Sequence, residues 1–324
     1  MFTLRFDMRA PDSSPAKPVD LYRCALEMAE WGESRGAISA LVSEHHASPD
    51  GYLPSPLVLA SAIAGRTKTL PINAGAVLLN LYDPIKLAED MVILDILSEG
   101  RTSFTIGLGY RPEEYAMFGV EMSERAATME RKLDALLRAV RGERFEYEGR
   151  PVHVTPAAYT EGGPAIFYGG QSRAAARRAG RFGLGFMAGG GDPSLAEDYA
   201  EAARGAGHEP GVCVVPPDDM HTTVFLARDV DEGWDRYGPY MLHDALMYGG
   251  WMGPDDKSAS KSLARTVDAL RSENGPYQVY TPEVARASIE RGVPIALQPL
   301  SGGCPPDLAW QSLELLASEV LSQT

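Results

Sequence analysis

The amino-acid sequence predicts an α/β fold, a TIM-like (β/α)8 barrel with an insertion before the last strand. Eight short β-prone runs alternate with helical patterns, which is the order expected of consecutive β/α units. Four predicted helices begin with a serine, aspartate or threonine directly before a proline, a pairing that favours a helix N-terminus. No Gly/Ser-rich linker divides the 324 residues, so we expect a single domain over 1–324. An open, doubly wound sheet is the competing arrangement.

The first half of the chain is predicted to contain four strands and four helices. We expect Asp20, Ser55 and Asp83 to cap helices, because a side-chain oxygen can accept a backbone N–H that the first turn leaves unpaired. The predicted strands are 4–8, 38–42, 72–79 and 102–106, and the predicted helices are 20–35, 56–66, 84–97 and 124–141.

The second half continues this alternation after a hairpin that is predicted at 144–154. Asp192 and Thr281 precede prolines at two further helix starts. The segment 238–279 is not needed to build a barrel, so we expect a lid or a surface excursion there. The predicted strands are 165–168, 185–188, 222–227 and 294–300, and the predicted helices are 172–181, 195–204 and 308–321.

Composition excludes several classes of protein. An apolar fraction of 44% excludes disorder as the dominant state. The 30 Lys and Arg residues against 44 Asp and Glu residues leave a net charge of −14, so we expect no nucleic-acid or membrane partner. Cys24, Cys213 and Cys304 are too far apart to predict a zinc site or a disulfide framework. The N-terminus has no signal-peptide pattern, and three sparse cysteines fit a reducing compartment, so we expect the protein in the cytoplasm.

Two adjacent histidines, His45 and His46, follow the second predicted strand. The carboxyl ends of barrel strands form the functional face of this fold. Neighbouring strand residues point to opposite faces, so the pair is poorly placed to hold one metal ion, and zinc hydrolase chemistry is a minor alternative. One histidine packing under the rim is the structural alternative. At a barrel mouth, however, a histidine is well suited to act as a general base near neutral pH.

Small residues lie in the third predicted strand and after the fourth. Gly75 and Ala76, with Asn80 beyond them, would let a flat ligand approach the backbone, although core packing needs small residues equally. Gly109 and Tyr110 lie in a second glycine-containing run, and they are candidate cofactor-binding residues because glycines free a strand end to pass close to a ligand. That run is not a dinucleotide fingerprint, because a proline interrupts it, and a simple turn is the alternative.

An anion cradle is predicted after the fifth strand. Two glycines and a hydroxyl at a helix N-terminus favour a phosphate, through free amides and the helix dipole. Arg125, at the head of an earlier helix, would add a cation. The alternatives are a plain N-cap and a solvated arginine. The residues of the cradle are Gly169, Gly170, Gln171 and Ser172. Together with the small strand ends and the histidines, they fit a phosphorylated planar cofactor.

With these residues, the sequence resembles the bacterial luciferase-like monooxygenases, a family that includes deazaflavin-dependent oxidoreductases. The resemblance runs from Glu44 to about Arg125 and resumes at 168–186, and it is weak over 211–279. It is densest in three runs, 43–46, 82–90 and 94–101.

The resemblance implies a TIM-like barrel that binds FMN at its strand ends and uses reduced FMN and O2 on a small organic substrate. His45 then corresponds to the family histidine that assists proton transfer, with His46 beside it. Gly75 and Ala76 match the position of a non-prolyl cis peptide that supports the flavin ring. The run 169–172 and Arg125 match the phosphate site.

Two departures accompany this resemblance. Leu108 stands where some flavin-binding members have an arginine, so one phosphate contact is in doubt. Gly107 stands where luciferase has a reactive cysteine, which argues against light emission. The identity of the substrate cannot be read from the sequence.

Two alternative functions stay open on the same fold: an F420-dependent hydride-transfer enzyme, and a non-catalytic flavin-binding protein for storage or sensing. The missing nicotinamide fingerprint predicts a separate flavin reductase as partner. Members of the family are often dimers, so the resemblance implies a homodimer. No metal ion is expected.

Overall fold

The computed structural model of the protein describes residues 1–217, 219–253 and 258–323. The chain divides into two compact units. The first contains Met1–Leu41, Ser48–Leu53 and Pro216–Thr324, and the second contains Val42–Ala47 and Pro54–Val215. Because the first unit includes both ends of the chain, the units are not consecutive domains. Among the described helices, none combines the length and the apolar character that crossing a membrane requires.

Short strands alternate with helices along the described chain. The strands are β1 (Phe2–Phe6), β2 (Ser39–Val42), β3 (Ile72–Leu78), β4 (Thr102–Gly107), β5 (Phe145–Tyr147), β6 (Arg150–Val152), β7 (Ala165–Gly170), β8 (Gly185–Ala188), β9 (Cys213–Val214), β10 (Thr223–Leu226), β11 (Tyr277–Tyr280) and β12 (Ile295–Leu297). The α-helices are α1 (Pro18–Ser34), α2 (Pro56–Arg66), α3 (Pro84–Leu97), α4 (Pro112–Met117), α5 (Arg125–Val140), α6 (Arg173–Arg181), α7 (Ser194–Gly205), α8 (Val230–Trp251), α9 (Val267–Ser272), α10 (Pro282–Glu290) and α11 (Pro306–Leu315).

A parallel sheet forms the centre of the second unit, with the strand order β3-β4-β7-β8-β9. Parallel neighbours need a crossover connection, which α3, α5 and α6 supply in turn. The side chains of Phe104, Ile106 and Tyr168 are fully buried and form part of its core. β5 and β6 make the predicted antiparallel hairpin. The carboxyl ends of β3, β4 and β7 therefore lie side by side.

The sheet of the first unit has the strand order β11-β10-β12-β1-β2. β1 pairs in parallel with β12, and β10 pairs in parallel with β11. Phe2, Leu4 and Phe6 of β1 are completely buried, and Leu4 lies opposite Leu297 of β12. Alternate residues of β1 thus supply the core of this unit.

Two of the four capping residues predicted before prolines are confirmed, and Asp192 does not cap α7, because Pro193 occupies the N-cap position. Asp83 accepts hydrogen bonds from two amides of the first turn of α3, and Thr281 caps α10. Ser55 makes no capping hydrogen bond, so that part of the prediction was wrong. Asp20 was also wrongly predicted as a cap: α1 begins earlier, at Pro18, and Asp20 lies within the first turn. A proline at the first helical position sets that start without a capping side chain.

All eight predicted strands are present, with boundaries shifted by a few residues. Two strands of this structure were not predicted: β9, which has only two residues, and β11. β11 lies inside the segment 238–279, which begins in the second half of α8. This segment therefore contributes one strand to the sheet as well as a helix, while its residues 254–257 lie outside the described chain.

We expect Gly180→Ala to lower the free energy of unfolding by about 1–3 kcal/mol, because α6 and α7 pack too closely for a methyl group. An added Cβ would lie 2.5 Å from the carbonyl oxygen of Tyr199 and 2.7 Å from the amide nitrogen of Ala203. Gly65→Ala in α2 is the control, since nothing lies within 4 Å of its Cβ position. It is expected to stabilise by about 0.5–1 kcal/mol. Urea denaturation measures the free energy of unfolding of both variants. Equal changes in the two variants would contradict this close packing of α6 on α7.

Candidate active site

A buried carboxylate organises the residues that follow β2. Glu114 of α4 is fully buried, and its Oε1 lies 2.8 Å from Nδ1 of His45. The same oxygen accepts the backbone N–H of His46 at 3.0 Å and Nη1 of Arg111 at 3.2 Å. Arg111 also donates to the carbonyl oxygen of His46 at 2.5 Å. One carboxylate thus ties the end of β2 to the start of α4.

The surroundings of Glu114 keep it ionised. Burial alone would raise the pKa of this carboxyl. The hydrogen bond and charge of His45, the amide of His46 and the charge of Arg111 outweigh burial, so the pKa of Glu114 is lowered. An ionised carboxylate only accepts hydrogen bonds. Nδ1 of His45 must therefore carry the proton in this pair.

The other ring nitrogen of His45 faces a tyrosine. Its Nε2 lies 3.3 Å from the hydroxyl of Tyr110, and the two rings meet edge to face at 5.5 Å between centroids. Gly109 has a φ of +79°, a conformation that a residue with a side chain adopts only with strain, and it reverses the chain after β4. This reversal brings Tyr110 back over His45.

His46 is held by a different carboxylate. Its Nε2 lies 2.7 Å from Oε1 of Glu44, which also accepts the hydroxyl of Tyr82 at 2.9 Å. The second oxygen of Glu44 accepts the amide of Leu78, the last residue of β3. Burial raises the pKa of Glu44 despite these donors. The ring of His46 also packs edge to face on Phe118. His46 and Glu44 therefore connect the ends of β2 and β3.

Three glycines lie where neighbouring atoms leave no room for a Cβ: Gly75 within β3, Gly107 at the end of β4 and Gly169 next to the end of β7. A Cβ on Gly75 would lie 2.4 Å from Oδ1 of Asn73, and one on Gly107 would lie 2.7 Å from Cβ of Ala76. A Cβ on Gly169 would lie 2.9 Å from Cγ2 of Thr105. The Gly75–Ala76 peptide is cis, as the resemblance implied. At these three positions, protein atoms fill the space that a side chain would take.

The predicted anion cradle follows β7. Gly170 ends this strand, and Ser172 caps α6 by accepting the amide of Ala175 at 3.2 Å. Gln171 and Ser172 are both exposed. Arg173, the first residue of α6, forms an ion pair with Asp198 at 3.2 Å. The exposed guanidinium of Arg173 thus belongs to the first turn of α6, next to the free amides of the helix N-terminus.

Asn80 and Arg125 are joined by a hydrogen bond. The buried amide nitrogen of Asn80 donates to the carbonyl oxygen of Arg125 at 2.9 Å and to the hydroxyl of Tyr115 at 3.0 Å. Oδ1 of Asn80 is buried and has no hydrogen-bond partner in the described chain. The Arg125 guanidinium donates to the carbonyl oxygen of Met122. Among the described residues, no hydrogen bond joins Arg125 to the run 169–172.

A second buried polar cluster, which was not predicted from the sequence, lies in the first unit. Arg9 is fully buried and donates to Asp244 at 2.8 Å and to Asp50 at 2.5 Å. Its guanidinium lies 4.6 Å from the ring centroid of Tyr52 and 4.7 Å from that of Trp251. Paired carboxylates and aromatic faces together compensate the buried cation.

The carboxylates around Arg9 differ in character. Burial and the charge of Asp244 raise the pKa of Asp7 to about 7, although Arg9 opposes this shift. Burial would also raise the pKa of Asp50, but hydrogen bonds from His243 and the charge of Arg9 hold it below its usual range. Within residues 1–217, 219–253 and 258–323, no three His, Cys, Asp or Glu side chains are grouped to hold a metal ion.

Known proteins resemble this chain in sequence and in structure. The alkanal monooxygenase alpha chain of the Kryptophanaron alfredi symbiont is 29% identical over 164 residues, which are 49% of this chain and 46% of that protein. The matches to the curated relatives thus span about half of their length or less.

Two solved structures cover nearly the whole chain. One is the FMN complex of the oxygenating constituent of 3,6-diketocamphane monooxygenase from Pseudomonas putida, with a TM-score of 0.67, 22% identity, and coverage of 100% of this chain and 98% of that one. The other is the coenzyme F420-dependent tetrahydromethanopterin reductase of Methanopyrus kandleri, with a TM-score of 0.65, 15% identity, and coverage of 99% and 98%.

These likenesses establish the fold, which is the (β/α)8 barrel of luciferase-like enzymes, and they confirm the predicted fold class. The sequence model of the luciferase-like monooxygenases matches residues 3–286. Because this match covers most of the chain, the protein belongs to the luciferase-like monooxygenase family.

Proposed function

We propose that the protein is a monooxygenase that uses reduced FMN and O2 on a small organic substrate. The observation that carries this proposal is the buried His45–Glu114 pair, which follows β2 and is accompanied by glycines in the neighbouring strands. Glu44 links the two features, because it holds His46 and also accepts the amide at the end of β3. A proton-handling group next to a flat binding surface suits flavin chemistry.

The residues present fit a flavin ring. Gly75, Gly107 and Gly169 place small residues in three neighbouring strands, which lets a planar ring system approach the backbone. Oδ1 of Asn80 is a buried acceptor without a partner in the described chain, so it can take an N–H from a bound ligand. Gly109 and Tyr110 complete this edge of the proposed site.

The anionic tail of FMN is assigned to the cradle at the start of α6. The N-terminus of this helix favours an anion, and Gly169, Gly170, Gln171 and Ser172 supply a backbone that a phosphate can approach closely. Arg173 adds positive charge there, shared with its partner carboxylate. We propose Arg125 as a further cation for the phosphate.

When bound, reduced FMN would supply the electrons and the position at which O2 reacts. His45 would move the proton at its Nε2, because Nδ1 is held by Glu114. His46 would support this step by fixing the backbone, since its own ring nitrogen is bonded to Glu44. The chain would therefore contribute binding, orientation and proton transfer.

F420-dependent hydride transfer is the second candidate function. The structural likeness to an F420-dependent reductase over nearly the whole chain favours it. A non-catalytic flavin-binding role would keep the same cradle but would need no organised His45. The ionised partner of His45 therefore supports catalysis over storage.

We also propose a homodimer that receives reduced flavin from a separate reductase in the cytoplasm. Val58, Ile93 and Leu97 on α2 and α3 are large apolar side chains that the single chain leaves exposed, which supports a contact with a second copy. The three cysteines are free thiols, which fits a reducing compartment. The run after β4 contains no dinucleotide fingerprint.

We expect Arg125→Ala to weaken FMN binding about tenfold, which corresponds to about 1.4 kcal/mol for one lost charge-assisted contact at a partly exposed site. Riboflavin, which has no phosphate, should bind the variant and the wild type equally. Fluorescence titration with FMN, riboflavin and F420 measures this. Arg131→Ala on the same helix is the control, since Arg131 pairs with Glu148 at the surface.

Equal losses for FMN and riboflavin would remove Arg125 from the phosphate site. Tight F420 binding without FMN affinity would select the second candidate function. If neither cofactor binds, the proposed function is wrong.

We expect His45→Ala to lower kcat about 100-fold or more, which is the usual contribution of a positioned acid or base. Its Kd for FMN should stay within about threefold of the wild-type value, since the ring and phosphate contacts are unchanged. Turnover is measured with reduced FMN, O2 and decanal or a cyclic ketone as probe substrate, together with hydrogen peroxide release. The exposed His153→Ala is the matched control. Unchanged turnover in His45→Ala would contradict the assignment.

A further inference from the structure

We propose that Tyr110, His45 and Glu114 form a proton relay in which Tyr110 is the catalytic residue and Glu114 the positioning residue. This inference rests on the proposed function and assigns the group that meets the reacting atoms. From the sequence, Tyr110 is predicted only as a cofactor-binding residue, and Glu114 is not predicted as part of the site.

The three side chains form one line of contacts. Oε1 of Glu114 lies 2.8 Å from Nδ1 of His45, and Nε2 of His45 lies 3.3 Å from the hydroxyl of Tyr110. In the neutral imidazole, the proton on Nδ1 points towards the carboxylate, so Nε2 is the nitrogen that accepts the phenol proton. The imidazole therefore has a partner on each side.

Exposure increases along this line. Glu114 is 0% exposed, His45 is 7% exposed and Tyr110 is 39% exposed. Of these three groups, the phenol is the one with substantial surface to meet a ligand, while the imidazole lies behind it. Direct contact between His45 and a reactant would require the tyrosine to move away.

Tyr110 is also held in place from both sides along the chain. Gly109 makes the left-handed reversal before it. Arg111 after it is buried and donates both to the carbonyl oxygen of His46 and to Glu114. A side chain between two fixed backbone positions is oriented before the ligand arrives, which favours proton transfer.

The proton balance of the relay is simple. In the base direction, a reacting group gives its proton to the phenol oxygen while the phenol proton moves to Nε2, so the reactant loses one proton and His45 gains one. The carboxylate stabilises the imidazolium that forms. The acid direction is the reverse, and Tyr110 is neutral before and after either transfer.

The first test is Tyr110→Phe, which keeps the ring against His45 and removes only the hydroxyl. We expect kcat with reduced FMN, O2 and the probe substrate to fall about 100-fold, with little change in FMN affinity. The double variant with His45→Ala should fall no further than His45→Ala alone, since the two groups act as a unit. Tyr159→Phe, at an exposed tyrosine, is the control. Unchanged kcat in Tyr110→Phe, or additive losses in the double variant, would overturn the relay.

The second test follows His45 directly and needs no flavin. NMR of protein labelled with 15N at histidine reports which ring nitrogen carries the proton. We expect the Nδ1–H form in the wild type and a mixture in Glu114→Gln, with half-protonation moved to lower pH because the charge that favours the imidazolium is gone. Glu113→Gln, the exposed neighbouring carboxylate, should change neither.

These outcomes separate the relay from the proposed function. An Nε2–H form of His45 in the wild type would overturn the relay even if the enzyme turns over. The expected tautomer in a protein that binds and oxidises no flavin would leave the role of Glu114 intact but would refute the proposed function, and with it the catalytic role of Tyr110. Thermal unfolding of Glu114→Gln checks that the variant is folded.

Discussion

The candidate site depends on one buried negative charge. A single oxygen of Glu114 accepts the imidazole of His45, the amide of His46 and the guanidinium of Arg111. A carboxylate without exposure to water is tolerated only when donors surround it. These three donors come from the chain after β2 and from the start of α4, so the same charge fixes both segments. The orientation of the His45 ring follows from this compensation.

The two adjacent histidines differ because their partners differ. His45 is bonded through Nδ1 to a glutamate whose pKa is lowered, whereas His46 is bonded through Nε2 to Glu44, whose pKa burial raises. Opposite nitrogens are therefore engaged in two rings that are neighbours in sequence. A pair that looks redundant in the sequence has two distinct environments, and only His45 has its Nε2 beside a phenol.

Local signals predicted most of the fold but not the partners within the site. The bounds of α2 and α3 match the predictions because prolines and apolar spacing mark them within a few residues. β11 was missed because it follows a stretch with no clear pattern. Glu114 was missed because Glu113 stands beside it, and the position that faces inward depends on a contact with His45, 69 residues away. Such a distant contact leaves no periodicity in the sequence.

The cluster around Arg9 constrains how this sequence can diverge. Asp7, Asp50 and Asp244 come from three distant parts of the chain and surround one guanidinium that has no access to water. Replacing one carboxylate by a neutral residue would leave a buried cation short of its counter-charge. Related sequences are therefore expected either to keep all four of these residues or to replace them together. The four positions should then covary among the relatives that share this cluster.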